Sequence, residues 1–237
     1  MSEYTPTDPT LAQRFTNALN VGPSPERVEM RRMGAAMRRV IERLVNSKAP
    51  VDELREAADM LEEIAHTLEK HPQGRMYEFA ESANAGAPLA FFDHSPVMGV
   101  SNPLAPPLKL AVIDDRVRGE VRYGSAYEGP PGAVHGGYVA CAFDEVLGLA
   151  QTIGGHPGMT GTLTIKYRRP TPLYVDLRFD AGIDKVDGRK TYTSGTLYAG
   201  DDLCAEAEGL FIAVDMVKIA ELMKRRAERK STANDEA

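Results

Sequence analysis

The chain has only two cysteines, Cys141 and Cys204, far apart and without a CxxC pair. That argues against a disulfide framework or a zinc site, and two buried free thiols are expected instead. Long apolar runs are missing too, and nothing approaches the roughly 20 consecutive apolar residues of a membrane-spanning helix. The opening MSEYTPTDPT has neither the apolar core of a secretory signal nor an arginine-rich face, so a cytoplasmic location is expected. No P-loop or dinucleotide fingerprint occurs, and His94 has no nucleophile elbow to serve. Nor is there an excess of positive charge. With 28 Lys+Arg against 34 Asp+Glu, the net charge of -6 argues against nucleic acid as the partner of the whole chain.

What is present is ordinary globular composition, 43% hydrophobic and 26% charged over 237 residues, enough for one good core and an appendage. Residues 1–22 are polar and proline-dotted, a flexible N-terminus. Ser24-Pro25-Glu26 then supplies an N-cap, a proline at the first helical position and a first-turn acid. Val28, Met33, Met37, Val40, Ile41 and Leu44 follow at helical spacing, and Pro50 opens a second helix through Leu54, Ala58, Leu61, Ile64 and Leu68. The expectation is a helical hairpin over 23–72. Its first helix carries Arg27, Arg31, Arg32, Arg38, Arg39 and Arg43, which read either as a phosphate- or nucleic-acid-facing surface or as a solvated face. The second reading, with partial pairing to the acidic second helix, is the one adopted.

Residues 73–107 form a connecting segment rich in Pro, Gly, Ala and Asn, with a short helix expected at 76–82. Leu89, Phe91, Phe92, Val97 and Met98 are too apolar for a free linker, so the segment is expected to pack on the core. From 108 to 214 the pattern predicts strands at 108–113 and 116–123, then a helix at 134–151 that is apolar on nearly every face. Four more strands follow at 158–168, 173–186, 189–199 and 203–214, with a type I′ signal at Asp187-Gly188. A helix and charged tail close the chain over 215–237. The fold class is α+β, with an antiparallel sheet wrapped around a central buried helix.

Chemistry concentrates at that helix. The turn-rich Glu128-Gly-Pro-Pro-Gly-Ala-Val-His135-Gly136-Gly137 runs straight into it. Its first N–H groups lack intrahelical partners, and two glycines let a carbonyl approach them closely. This is either an oxyanion-type site for acyl transfer or a tight structural turn. Asp144 lies further along, in an apolar run whose only other charge is Glu145. A carboxylate there must be paired, hydrogen-bonded, used or turned outward. Gly136 and Asp144 are eight residues apart, about 12 Å along one helix, which is too far for one reacting centre. A two-fold dimer that sets Gly136 of one chain opposite Asp144 of the other closes the gap.

The segment 128–148, with Met159-Thr160 and Tyr167-Arg168-Arg169-Pro170, resembles the PaaI/THEM-type hotdog thioesterases over roughly 97–214. The resemblance implies hydrolysis of an acyl-CoA by a homodimer with shared active sites, or by a tetramer of such dimers. It needs neither metal nor cofactor beyond the CoA of the substrate. Gly136 would polarise the thioester carbonyl, with His135 and Gly137 shaping the loop. Asp144 would be general base or nucleophile, and Thr160 would hold the attacking water. Lys166, Arg168 and Arg169 are the nearest cations for the CoA phosphates. Some PaaI relatives carry an Asn where this chain has Gly129. The rival readings are a hotdog dehydratase or hydratase of acyl thioesters, and a non-enzymatic acyl-CoA-sensing regulator.

Overall fold

The computed structural model describes residues 24–71, 93–155 and 158–213. The helix expected at 76–82, the C-terminal helix, residues 1–22 and Leu89, Phe91 and Phe92 lie outside the described residues.

Ser24 caps α1 (Pro25–Val45), its hydroxyl accepting from the Arg27 N–H, and α2 (Val51–Glu69) follows after a short link. Then come β1 (Lys109–Ile113), β2 (Arg116–Val121), a 3-10 turn at Ser125–Tyr127, α3 (Gly136–Ile153), β3 (Gly158–Tyr167), β4 (Leu177–Asp187), β5 (Lys190–Ala199) and β6 (Asp202–Ala213). The six strands make one antiparallel sheet in the order β1-β2-β4-β5-β6-β3, so β1 and β3 are its edges. α3 lies across one face of this sheet. That is the hotdog arrangement anticipated from the sequence.

Period-two alternation puts Val117, Leu177, Phe179, Ala181, Leu197, Ala205, Ala207 and Phe211 on the face beneath α3, where all are buried. Phe143, Val146 and Leu147 of α3 are fully buried against them, each contributing about 1.5–3 kcal/mol. Phe143 meets Phe179 edge-on at 5.0 Å between ring centroids. Leu147 settles over two glycines: a Cβ added at Gly195 or at Gly209 would stand 3.3 Å from its methyls. Val97 is buried in the same core and Met98 packs against it.

Several local expectations are corrected. The strand predicted from 173 begins at Leu177, because Tyr174 adopts φ 60 and turns the chain where the apolar alternation still continues. The β4–β5 loop is Gly188-Arg189, and only Gly188 has positive φ, as a type II′ turn requires; the type I′ pattern instead belongs to Asp114 and Asp115, at φ 50 and 58. Cys204 is buried as expected, but Cys141 is exposed.

The N-terminal helices behave differently from a self-packed pair. α2 has no buried residue, and Leu54, Ile64 and Leu68 are exposed. α1 instead docks on the body. Gly34 touches the 100–101 backbone so closely that an added Cβ would lie 2.7 Å from the Ser101 carbonyl. Arg27 and Arg31 pair with Asp93 at 2.6 and 2.8 Å, not with α2. Arg38 donates to the Asn102 carbonyl at 2.9 Å. Glu42 accepts from the Ser125 and Ala126 amides at 3.0 and 3.1 Å and from the Tyr174 hydroxyl at 2.7 Å.

Candidate active site

The loop before α3 is held by its own backbone. Gly129 N–H donates to the Ala133 carbonyl at 2.9 Å, Val134 N–H to Thr171 at 2.8 Å and His135 N–H to Tyr127 at 2.8 Å. Gly129 lies flat against His135, where an added Cβ would be 2.7 Å from the His135 Cα. An Asn at that position would therefore require the loop to move.

His135 is the N-cap of α3. Its Nδ1 accepts from the Gly137 N–H at 3.0 Å, which leaves the ring proton on Nε2. The Gly137 amide is thus engaged. Among the described residues nothing accepts from the Gly136 N–H. The Tyr167 hydroxyl donates to the Gly136 carbonyl at 2.8 Å and fixes that first peptide, a role not assigned from the sequence. An added Cβ at Gly136 would approach this hydroxyl to 3.2 Å. Below the turn, Tyr127 packs edge-on to Tyr138 at 4.8 Å and to Tyr123 at 5.3 Å. Burial, then Tyr138, pushes the Tyr127 phenol up to about 12, so it stays a neutral donor, here to the Leu104 carbonyl.

Asp144 is not inside the single chain. The expectation of a central helix buried on nearly every face fails along one stripe, where Gly137, Tyr138, Cys141 and Asp144 are exposed. The more enclosed carboxylate is Glu145, half-buried and accepting from the Ser95 hydroxyl at 2.9 Å. Burial raises the Glu145 pKa; the Ser95 hydrogen bond opposes the rise and Asp144 adds to it. Burial, then Asp144 and Glu145, raises the Cys141 thiol, making it a poor nucleophile at neutral pH.

Thr160 reaches Asp144 because β3 carries a bulge. Thr160 pairs with Phe211 and Thr162 with Leu210, so Gly161 is an extra residue. Thr162, Thr164 and Lys166 point to the outer face of the sheet. Without the extra residue Thr160 would join them. With it, Thr160 turns to the α3 side and its Oγ1 donates to Asp144 Oδ1 at 2.6 Å. A lone glycine within a strand pattern was the available signal.

The three cations at the end of β3 are all occupied on the sheet. Lys166 pairs with Glu208 at 2.9 Å, Arg168 with Glu206 at 2.6 Å, and Arg169 with Asp202. A phosphate there would have to displace a carboxylate. His94 takes part, among the described residues, through its carbonyl, which accepts from Asn102. Among the described residues no three His, Cys, Asp or Glu side chains converge as a metal-binding group, and no helix is long and apolar enough to cross a membrane.

The sheet, its central helix and an open amide at that helix's start define an α+β hotdog protein. The family model for the thioesterase superfamily matches residues 131–206. A crystal structure of a thioesterase superfamily protein is 37% identical, covers 81% of this chain and 92% of its own, and superposes with a TM-score of 0.69. Acyl-coenzyme A thioesterase THEM4 of Xenopus laevis is 38% identical over 91 residues, 38% of this chain and 41% of its own length. The Bos taurus THEM4 is 37% identical over 97 residues, 40% of each chain. The match thus spans about two fifths of the length of these curated relatives. The chain belongs to the thioesterase superfamily.

Proposed function

We propose that the protein hydrolyses acyl-CoA thioesters to the free acid and CoA, as a homodimer whose two active sites are each shared between chains. The observation that carries this is the pair of groups left open on α3: the unpartnered Gly136 N–H at its start, and Asp144, hydrogen-bonded by Thr160, on its exposed stripe. An amide at a helix N-terminus is suited to the negative charge that grows on a thioester oxygen. A carboxylate held by a hydroxyl is suited to taking a proton from water or to attacking the carbonyl itself. Thr160 donates its one proton to Asp144, so its oxygen lone pairs remain to accept from the attacking water. THEM4 of Xenopus laevis and Bos taurus is named for this activity.

The roughly 12 Å between the two groups along one helix is what calls for a second copy. β3 is an edge strand and the exposed stripe of α3 lies on the Asp144 side of it, so a two-fold partner laid along this border would cover Asp144 and bring its own Gly136 opposite. His135 supports hydrolysis over the hydratase reading, because its unprotonated nitrogen is already spent on the Gly137 amide. Lys166, Arg168 and Arg169 would serve the CoA phosphates only by exchanging partners.

Thiol release from an acyl-CoA series tests the reading. Asp144→Asn should lower kcat by about 10³-fold with the circular dichroism of the parent. Gly136→Pro deletes the donor while suiting the first helical position, since His135 already sits at φ -59, ψ 130. Mixing these two inactive proteins should restore about a quarter of the parental rate, because each mixed dimer holds one intact site. Full turnover by Asp144→Asn, or no recovery on subunit exchange, would sink the proposal.

A further inference from the structure

The arginines of α1 remain to be accounted for. One face of that helix, together with Tyr174, bounds an open groove of about 820 Å3 lined by Arg32, Arg38, Arg39, Glu42, Arg43 and Tyr174. Four guanidiniums thus share one short surface of a chain whose net charge is -6. Their local counter-charges are few. Arg32 has an exposed pairing to Glu29 at 2.7 Å, which screening by water makes weak. Arg38 donates to the neutral Asn102 carbonyl and has no ion pair among the described residues, and burial lowers its pKa. Arg39 and Arg43 have no ion-pair partner among the described residues. The one acid in the groove, Glu42, is turned to the Ser125 and Ala126 amides and the Tyr174 hydroxyl.

The groove is close to the reacting end. Glu42 accepts from Ala126 at 3.1 Å, and the carbonyl of the next residue, Tyr127, accepts from the His135 N–H at 2.8 Å, one residue before Gly136. With standard backbone dimensions that path is at most about 17 Å. The pantetheine arm of CoA, about as long as four to five residues, extends roughly 15 Å. A thioester carbonyl at Gly136 therefore leaves the CoA phosphates within reach of α1. Tyr174 adds an aromatic wall: it is 48% exposed, its hydroxyl contacts Glu42 and Ser125, and its N–H donates to the Tyr123 carbonyl at 2.8 Å.

We infer that this groove is the nucleotide subsite of the enzyme proposed above, with CoA phosphates on Arg39 and Arg43 and the adenine against the Tyr174 ring. Guanidinium forks suit phosphate, and an aromatic face accepts a base. A nucleic acid fits less well. The arginine face is only a few turns long, Glu42 interrupts it, and the next helix, α2, begins with Asp52 and Glu53. The inference rests on the acyl-CoA reading, and its first test is independent of turnover.

Titration calorimetry of the full chain with adenosine 3′,5′-bisphosphate alone should show binding that Arg39→Gln/Arg43→Gln weakens about tenfold or more. Both side chains are exposed, so circular dichroism should match the parent. No binding by the parent, equal binding by both proteins, or loss on Lys166→Gln alone overturns the assignment. The second readout is the ratio of kcat/KM for an acyl-CoA to that for the same acyl group on N-acetylcysteamine, which has no nucleotide. It should fall about tenfold or more in the double variant, and a ratio within about twofold of the parent's overturns the inference. If neither thioester is turned over, the thioesterase reading fails, while the bisphosphate titration still decides the groove.

Discussion

α1 and α3 are helices of 21 and 18 residues attached to the same sheet-centred body by opposite means. α3 buries Val139, Ala142, Phe143, Val146, Leu147, Leu149 and Ala150. α1 buries only Arg27 and Gly34, and is held by Asp93, Asn102 and the two amides that meet Glu42. α2, with an apolar period as regular as either, buries nothing. The difference teaches that a helical period announces a helix but not its partner. Apolar burial fixes α3 broadly and tolerantly, whereas a few directional bonds fix α1 at particular atoms.

The contrast can be broken most severely at α3. Leu147→Ala should cost about 2–5 kcal/mol in denaturant unfolding, because the hollow over Gly195 and Gly209 cannot collapse. Amide exchange within α1, relative to global unfolding, should not change. Asp93→Asn is the corresponding lesion for α1. It removes the negative charge that faces Arg27, 11% exposed, and Arg31, and should cost about 2–3 kcal/mol, less than a fully buried pair because Arg31 stays partly solvated. Exchange should accelerate over 25–45 while the sheet stays protected; uniform loss across the molecule would show that α1 and core unfold together.

Acid should reproduce that second lesion. Burial tends to raise the Asp93 pKa, but hydrogen bonds and charge from Arg31 and Arg27 outweigh it and leave it lowered. A lowered carboxylate stabilises the fold above its unfolded pKa and loses that contribution as pH falls through the folded value. α1 should therefore stay protected at neutral pH and into mild acid, and loosen only below the usual carboxylate range. The smallest effect belongs to α2. Leu54→Gln and Ile64→Gln should each change stability by no more than about 0.5 kcal/mol, and a drop well beyond that would mean the face is covered.

The same contrast explains what was legible in the sequence. α3, the six strands and the hairpin positions follow from local period and turn residues, which is why their placement matched within a few residues. Leu173 and Val175 misled because alternation persists through a turn that Tyr174 makes in a backbone region tyrosine rarely occupies. The arginines of α1 misled because Asp93 stands 66 residues from Arg27, beyond any local pattern. Asp144 stood out as a charge in an apolar run, yet that run faces outward at Gly137, Tyr138 and Cys141, so hydropathy misjudged its surroundings. The contact with Thr160 needed a register change that only Gly161 hinted at.

That single unmatched glycine makes β3 two strands in one: a leading part that hands a hydroxyl to the helix, and a trailing part that displays its polar row on the far side. The Thr160–Asp144 contact therefore depends on strand length as much as on residue type. Losing Gly161 would spin the hydroxyl through half a turn and strand Asp144, with every other side chain still present. Swapping Thr160 for serine would leave the geometry standing.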